Sequence, residues 1–371
     1  MSTPFNATPE RIAEVCRKFR IPGTLTDAQV ITRGNINTTF KVTFSNEGTE
    51  KPYLLQRVNT YVFSDPKEIM SNIDLITNHI KSRSTSHEKR TLHFHHCADG
   101  NNYYFDTDGE FWRLINYIDS LTFDLCDDPE IIRGTGYAFG EFQTILEDFD
   151  VTSLYETIPN FHNTPKRLEK FFSDVEKDEY GRAHEVTEEI EFTEKYTPLA
   201  SRLTEMMNAG QLPLRVTHND TKSNNVLFDR ETKKPLTVID LDTVMPGLVA
   251  FDFGDAIRSA ANTATEDEAD LSKVSLDIEK FRIFSEGFLE ATARKLSQAE
   301  IDTLVLGAFT LTFEQAVRFL DDYLTGDKYF RTTYPRHNLD RARNQYTLAR
   351  DILNKTKKLD KIIHDTTKLF L

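Results

Sequence analysis

The chain has 371 residues, of which 39% are hydrophobic and 28% charged, and its net charge is −14. That length supports a large core and two subdomains, while the acidic balance excludes a general nucleic-acid or anionic-membrane surface, since both need a basic field. Three cysteines, Cys16, Cys97 and Cys126, with no CxxC spacing read as reduced thiols of a cytoplasmic chain, and neither a signal-like start nor an apolar run of membrane length occurs.

Thr8-Pro9-Glu10 opens a helix: a capping hydroxyl, Pro at the first position and an acid near the positive dipole end. Ile12, Val15, Cys16 and Phe19 give it an apolar face. Strand patterns follow near 28–33, 38–45, 52–58, 91–97, 102–107 and 111–118, with "DTDGEF" (106–111) as a hairpin turn. One helix interrupts them, capped at Ser64-Asp65-Pro66 and lined by Ile69, Ile73, Ile76 and Ile80. "HFHHC" (93–97) sets His93 and His95 on one strand face, but without a second ligand cluster a half-exposed strand outweighs a metal site. After "NYIDS" (116–120) helices dominate, most clearly at 130–147, 191–208, 276–295, 298–321 and 338–358. The charge-rich stretch 174–194 reads as a solvated helix face or a mobile crossing. The organisation is therefore a sheet lobe, 1–118, and a mainly helical lobe, 119–371, with a strand-rich interval at 214–244.

That interval carries the chemistry. Residues 226–228 and 236–243 flank a charged loop ending in Pro235. Pairing the strands about the loop centre sets Asn225 opposite Asp240, and period-two alternation puts Asp240 and Asp242 on one face, roughly 7 Å apart. Asp220 lies in the lead-in. Three carboxylates and one amide would then gather in an oxygen-rich cluster suited to Mg²⁺, which bridges ATP phosphates in phosphoryl transfer. Asp220, set back from the ladder, is placed to take or orient a substrate hydroxyl proton. Ordinary turn and strand-end polarity is the competing reading, disfavoured because Asp within an apolar strand needs a partner.

"HNDTKSNN" (218–225) resembles the kinase catalytic-loop pattern H-x-D-x-x-x-x-N. The match implies that Asp220 is the catalytic Asp, Asn225 a metal ligand and His218 the loop anchor. The letters D-F-G at 252–254 come too late, beyond Pro246-Gly247, so "IDLD" (239–242) is the counterpart of the kinase metal segment. Asp252 and Asp255 resemble instead the "GD…DLA" segment of aminoglycoside-phosphotransferase-like kinases, in which an Asp starting a helix bonds back to the catalytic loop. That support is assigned to Asp255, with a plain helix cap as the competing reading. Nearly the whole chain resembles the N-acetylhexosamine 1-kinases. The matching segments are "GNINTTFKV" (34–42), "YLLQRVN" (53–59), "FWRLINYI" (111–118), "THNDTKSNNVLFD" (217–229), "VIDLDTVMPG" (238–247), "FDFGDAIR" (251–258) and "RFLDDYLTGDKYF" (318–330), in that order.

The resemblance implies an α+β, bilobal protein-kinase-like fold with an N-terminal antiparallel sheet, one main helix and a larger, mainly helical C-terminal lobe. It implies ATP- and Mg²⁺-dependent phosphorylation of the anomeric hydroxyl of N-acetylglucosamine or N-acetylgalactosamine. It carries metal binding to Asn225, Asp240 and Asp242, and sugar binding to Asn35, Arg318 and Tyr329. Position 35 departs from the family's His, and Arg318 read alone is equally a side chain snorkelling to water. Gly34 falls in the nucleotide-covering loop. Tyr117 and Ile118 are hinge residues for adenine or simply the last strand residues. On the third strand Gln56 aligns with the usual Lys or Arg, yet Arg57 is the available cation, so Arg57 is assigned to phosphate with Glu68 as its carboxylate partner. The implied partners are a small-molecule sugar and ATP. A kinase for choline, homoserine or an aminoglycoside is the alternative, and a non-catalytic module sensing nucleotide or sugar is another, against which the intact Asp220, Asn225 and Asp240 set argues.

Overall fold

The computed structural model describes residues 7–32, 37–63, 65–83, 91–124 and 127–371. They divide into two compact units, Met1–Ser120 with Leu154–Ile158, and Leu121–Ser153 with Pro159–Leu371.

In the first unit, Thr8 caps α1 (Pro9–Cys16) by accepting the Arg11 amide, and Ile12, Val15 and Cys16 are buried. The antiparallel strands β1 (Thr24–Ile31), β2 (Thr38–Asn46), β3 (Thr49–Val58), β4 (Tyr104–Phe105) and β5 (Phe111–Asn116) form one sheet in the order β1-β2-β3-β5-β4. Alternation gives each face its own job. Phe40, Val42, Phe44, Tyr53, Leu55, Trp112 and Leu114 join the α1 residues in one apolar core. Gln56 and Arg113, paired across β3 and β5, share the opposite face with α2 (Pro66–Arg83), whose Met70 sulfur meets Arg113. Asp65 caps α2 by accepting the amides of Lys67 and Glu68; Ser64 lies outside the described residues. Asn72 of α2 exchanges two 2.9 Å hydrogen bonds with the Tyr155 backbone, which clips residues 154–158 to this unit.

Two expected strands shrink. The 91–97 stretch makes only isolated bridges, Phe94 to Ile115 and Phe19 to Cys97, and the 102–107 stretch reduces to β4. His95 is pushed down to about 4, chiefly by burial and then by His93, and among the described residues no group of three His, Cys, Asp or Glu forms a metal-holding cluster.

The second unit contains α3 (Pro129–Ile145), α4 (Thr164–Lys177), α5 (Thr187–Asn208), α6 (Val249–Ala260), α7 (Ile278–Thr292), α8 (Gln298–Asp302), α9 (Leu304–Leu324) and α10 (His337–Phe370). The stretch expected as one helix over 298–321 breaks at Thr303, after a capping box between Ser297 and Glu300. The charged 174–194 stretch spans the end of α4, a turn through left-handed Asp178, and the start of α5. Helix α4 itself has a sequence cue that pattern reading passed over, Asn163-Thr164-Pro165, where Asn163 accepts the Lys166 amide. Helices α3 and α7 cross backbone to backbone: a Cβ on Gly287 would lie 2.0 Å from the Arg133 carbonyl oxygen, and one on Gly136 2.2 Å from that of Phe284. The rings of Phe253, Phe281, Phe284 and Phe288 fill the core beside this crossing. Among the described residues no helix is long and apolar enough to cross a membrane.

Candidate active site

Strand β6 (Arg215–Thr217) pairs with β9 (Met245–Gly247), and the hairpin of β7 (Val226–Phe228) and β8 (Pro235–Val238) lies between them in sequence. The hairpin register is Val226 to Val238 and Leu227 to Thr237, one residue from the expected pairing. Asn225 therefore opposes Ile239, whose amide donates to the Asn225 carbonyl at 2.8 Å. Strand β8 ends at Val238, Asp240 takes the left-handed conformation at φ 63 and ψ 60, and 241–243 form a short 3-10 turn. Period-two alternation ends at that turn. Asp240 is exposed while Asp242 is only 3% exposed, so the two do not share a face. Among the described residues no three His, Cys, Asp or Glu side chains, these carboxylates included, gather as a metal-holding group.

Lys222, which the sequence reading missed, stands among them instead. Its ammonium pairs with Asp220 Oδ2 at 2.8 Å. Burial works to depress the Lys222 pKa, but Asp220, Asp240 and Asp255 outweigh it and hold the lysine above its ordinary value. Asn225 Nδ2 donates to the same Asp220 Oδ2 at 2.9 Å and to the Asp220 carbonyl at 2.8 Å. Asn225 and Lys222 thus share the Asp220 Oδ2, and the Asp240 charge acts on the same lysine. The cue in sequence was a single basic residue two places after Asp220. His218, fully buried, faces the Ile239 carbonyl with Nε2 at 2.8 Å and accepts the Asp220 amide with Nδ1 at 3.3 Å. Because a carbonyl only accepts, Nε2 carries the proton. Phe139 and Phe142 meet this ring edge-on, so His218 holds the loop and touches no solvent.

The loop is tied down by α6. Asp252 accepts the His218 amide at 2.9 Å, the Asn219 amide at 2.8 Å and the Gln143 side-chain amide at 2.6 Å. Burial pushes its pKa up against those three donors. Asp255 accepts the Thr221 amide at 2.9 Å and pairs with Arg258. Burial acts upward on Asp255 too, but Arg258, His162 and the Thr221 amide more than offset it and keep the carboxyl below its ordinary range. The sequence reading gave this support to Asp255 alone. The structure divides it, with Asp252 taking the two amides ahead of Asp220 and Asp255 the one behind. Both sit at α6 positions buried against the loop, so neither is a simple helix cap.

A second ion-pair cluster lies on α9. Glu314, 2% exposed, accepts from His162 Nδ1 at 3.0 Å and Thr164 Oγ1 at 2.8 Å, with Arg167 3.6 Å away. Arg318 lies one turn further along α9. Its guanidinium donates to Gln315 at 2.9 Å and faces the rings of Phe161, Tyr329 and Phe330 at 5.4 to 6.0 Å, and among the described residues it pairs with no carboxylate. Burial first, then the neighbouring charges of Arg167 and Arg258, push its pKa below the ordinary arginine value. Tyr329 is 69% exposed beside it. Arg318 is partly buried among these rings.

In the first unit, Arg57 pairs with Glu110 at 2.8 Å, not with Glu68. The reason is strand parity: Arg57 shares the α1 face with Tyr53 and Leu55, whereas α2, carrying Glu68, covers the other face. On that other face Gln56 accepts from Arg113 at 2.9 Å and donates to Thr39 at 3.1 Å. Arg113, 2% exposed, is the cation beside Gln56, and it comes from β5 rather than β3. Tyr117 and Ile118 follow the end of β5; the Tyr117 ring lies 4.7 Å from the Lys41 ammonium, and the Ile118 carbonyl accepts from Ser120. Gly34 and Asn35 lie outside the described residues.

Residues 27–276 match the model of the phosphotransferase enzyme family. Among solved structures, the chain is similar to an aminoglycoside phosphotransferase from Alicyclobacillus acidocaldarius (12% identity, 99% of this chain and 98% of that one, TM-score 0.64). It is also similar to a choline kinase from Cryptosporidium parvum (15%, 96% and 98%, TM-score 0.57). A third is a spectinomycin phosphotransferase in complex with ADP and spectinomycin (12%, 96% and 100%, TM-score 0.54). These likenesses show the α+β, protein-kinase-like fold, and with two thirds of the sequence under the family model the chain belongs to the phosphotransferase enzyme family.

Proposed function

We propose that this chain is an ATP- and Mg²⁺-dependent kinase that phosphorylates the anomeric hydroxyl of an N-acetylhexosamine, N-acetylglucosamine or N-acetylgalactosamine, to the 1-phosphate. The observation that carries the reading is the setting of Asp220. Asn225 and Lys222 both bind its Oδ2, which orients Oδ1 as the oxygen available to the acceptor hydroxyl and its proton. The oxygens of Asn225 and of the exposed Asp240 are a hard donor set without thiolate or imidazole, and they fit Mg²⁺, with buried Asp242 behind them as support. When bound, Mg²⁺ supplies positive charge to the phosphoryl group in transfer. Lys222 adds a second, fixed positive charge beside Asp220. Asp252 and Asp255 keep the loop amides in place, so little reorganisation remains for the reaction step. The ADP in the spectinomycin phosphotransferase complex supports a nucleotide donor. Tyr117 and Ile118 offer backbone groups for its adenine.

Arg318 favours a neutral acceptor. A guanidinium partly buried beside three rings, with Arg167 and Arg258 adding like charge, repels an ammonium group such as that of choline. Sugar hydroxyls and an acetamido carbonyl instead supply the acceptor oxygens it lacks, and Tyr329 offers a ring and hydroxyl at the same place. The test is incubation with ATP, Mg²⁺ and N-acetylglucosamine, with phosphate position assigned by phosphorus NMR. A 1-phosphate is expected; a 6-phosphate, or turnover only with choline or an aminoglycoside, would overturn the assignment.

A further inference from the structure

Arg318 and Asp322 are one turn apart on α9, the spacing at which arginine and aspartate ordinarily pair. They do not pair. Asp322, 5% exposed, accepts the successive amides of Lys328 at 2.9 Å, Tyr329 at 2.8 Å and Phe330 at 2.9 Å, and the Asn338 side chain at 2.8 Å. The chain reaches that position by reversing just after α9. Gly326 at φ 94 and Asp327 at φ 56 are both left-handed, and the Asp327 amide bonds back to the Asp322 carbonyl at 2.7 Å. Arg182 fixes the turn from outside, donating to Asp327 at 2.7 Å and to the Tyr323 carbonyl at 2.6 Å. The result is a loop in which Tyr329 and Phe330 lay their rings over Arg318, with the Phe330 ring tilted against Phe319 at 4.5 Å between centroids.

We propose that Asp322 is a positioning residue of the acceptor site: by gathering the 328–330 amides it builds the aromatic roof over Arg318 and, in the same act, is kept from neutralising the Arg318 charge. Two properties follow from one carboxylate. A roof without Asp322 would lose the three amide hydrogen bonds that fix the course of 328–330 over α9. A released Asp322 would sit within reach of Arg318 and compete with the acceptor for it. The inference rests on the acceptor role given to Arg318 and Tyr329 above, and it makes the loop after α9, not Arg318 alone, the specificity element for the sugar.

The test compares the full-length wild type with Asp322→Asn, an isostere that cannot accept all four donors. Hydrogen exchange followed by mass spectrometry should show the peptide over 325–331 exchanging at least about tenfold faster in the variant, with catalytic-loop peptides unchanged. In steady state the KM for the acceptor should rise about tenfold while kcat and the KM for ATP stay within about threefold. Unchanged exchange over 325–331, or a kcat that falls in step with the acceptor KM rise, overturns the proposal, the latter because it signals a general structural loss. If Asp322→Asn does not fold, Tyr329→Ala takes its place: an acceptor KM equal to that of the wild type overturns the roof. A wild type that fails to phosphorylate N-acetylhexosamines refutes the sugar assignment alone, because the exchange comparison needs no substrate.

Discussion

Glu314 is where charge and stability can be weighed most directly. It is 2% exposed, yet its carboxyl is lowered from 4.5 to about 2. Burial alone would raise it; Arg167, His162 and Thr164 together reverse that. A carboxyl whose folded pKa is depressed adds stability above its unfolded value and loses it as pH falls toward the folded one. The difference is worth on the order of 3 kcal/mol near pH 7 and about 2 kcal/mol near pH 3.5, and it vanishes below about pH 2. Glu314→Gln removes the charge and keeps the shape. The variant should therefore be less stable than the wild type by on the order of 3 kcal/mol near pH 7, and the gap should narrow steadily below about pH 4.5, where the wild-type group starts to bind its proton on unfolding. Urea midpoints of both proteins, measured in parallel at several pH values, give the comparison. A gap that stays constant or widens on acidification would mean that the His162, Thr164 and Arg167 contacts do not hold Glu314 in its charged form.

Asp220→Asn should reduce kcat by about 10²- to 10⁴-fold with the ATP-dependent thermal shift retained; full turnover would remove Asp220 from proton transfer. Lys222→Met should lower kcat by about 10²-fold without a matching loss of folding stability, and a variant as active as the wild type would make the lysine a mere ion-pair partner. Asp252→Asn sets a side-chain NH₂ against the amide of either His218 or Asn219, which bond to different Asp252 oxygens, so a loss of about 1–3 kcal/mol is expected in denaturant melts; a melt indistinguishable from the wild type would refute the tether. Gly287→Ala drives a methyl against the Arg133 carbonyl oxygen at 2.0 Å, an immovable backbone atom. The cost should be at least about 2 kcal/mol, and a neutral variant would show that α3 and α7 can slide apart.

What the sequence made legible, and what it hid, divides along a physical line. The strands β1, β2, β3 and β5, the helices α1 and α2, and α3, α5, α7 and α10 of the second unit followed from local cues: period-two and 3.6-residue patterns and the Thr8 and Asp65 caps. The loop 218–225 stood out because its residue types and spacing serve one kind of chemistry. The errors arose wherever one residue of register decided the outcome. Arg57 was chosen over Gln56 for its charge, yet a strand gives neighbouring residues opposite faces, and the α2 face receives its cation from Arg113 on another strand. Asp240 and Asp242 were paired by alternation, but alternation ends where a residue turns left-handed, and Asp240 does so. Nothing local in "VIDLDTV" announces that turn.

The remaining gap concerns partners far apart in the chain. Asp252 was grouped with Asp255 but given no bond of its own, because the amides it accepts lie 33 and 34 residues away. Asp322 carries no local cue, because the amides it accepts belong to a loop that has first to fold back over α9. In both cases a buried carboxylate without a cationic partner is spent on backbone N–H groups, one under the catalytic loop and one under the loop that roofs Arg318. A carboxylate used in this way sets geometry rather than charge, since each N–H it accepts fixes a backbone position. The same device at both loops implies that transfer and acceptor recognition rest on rigid loops, so that substitutions at Asp252 should appear mainly in kcat and those at Asp322 mainly in the KM of the acceptor.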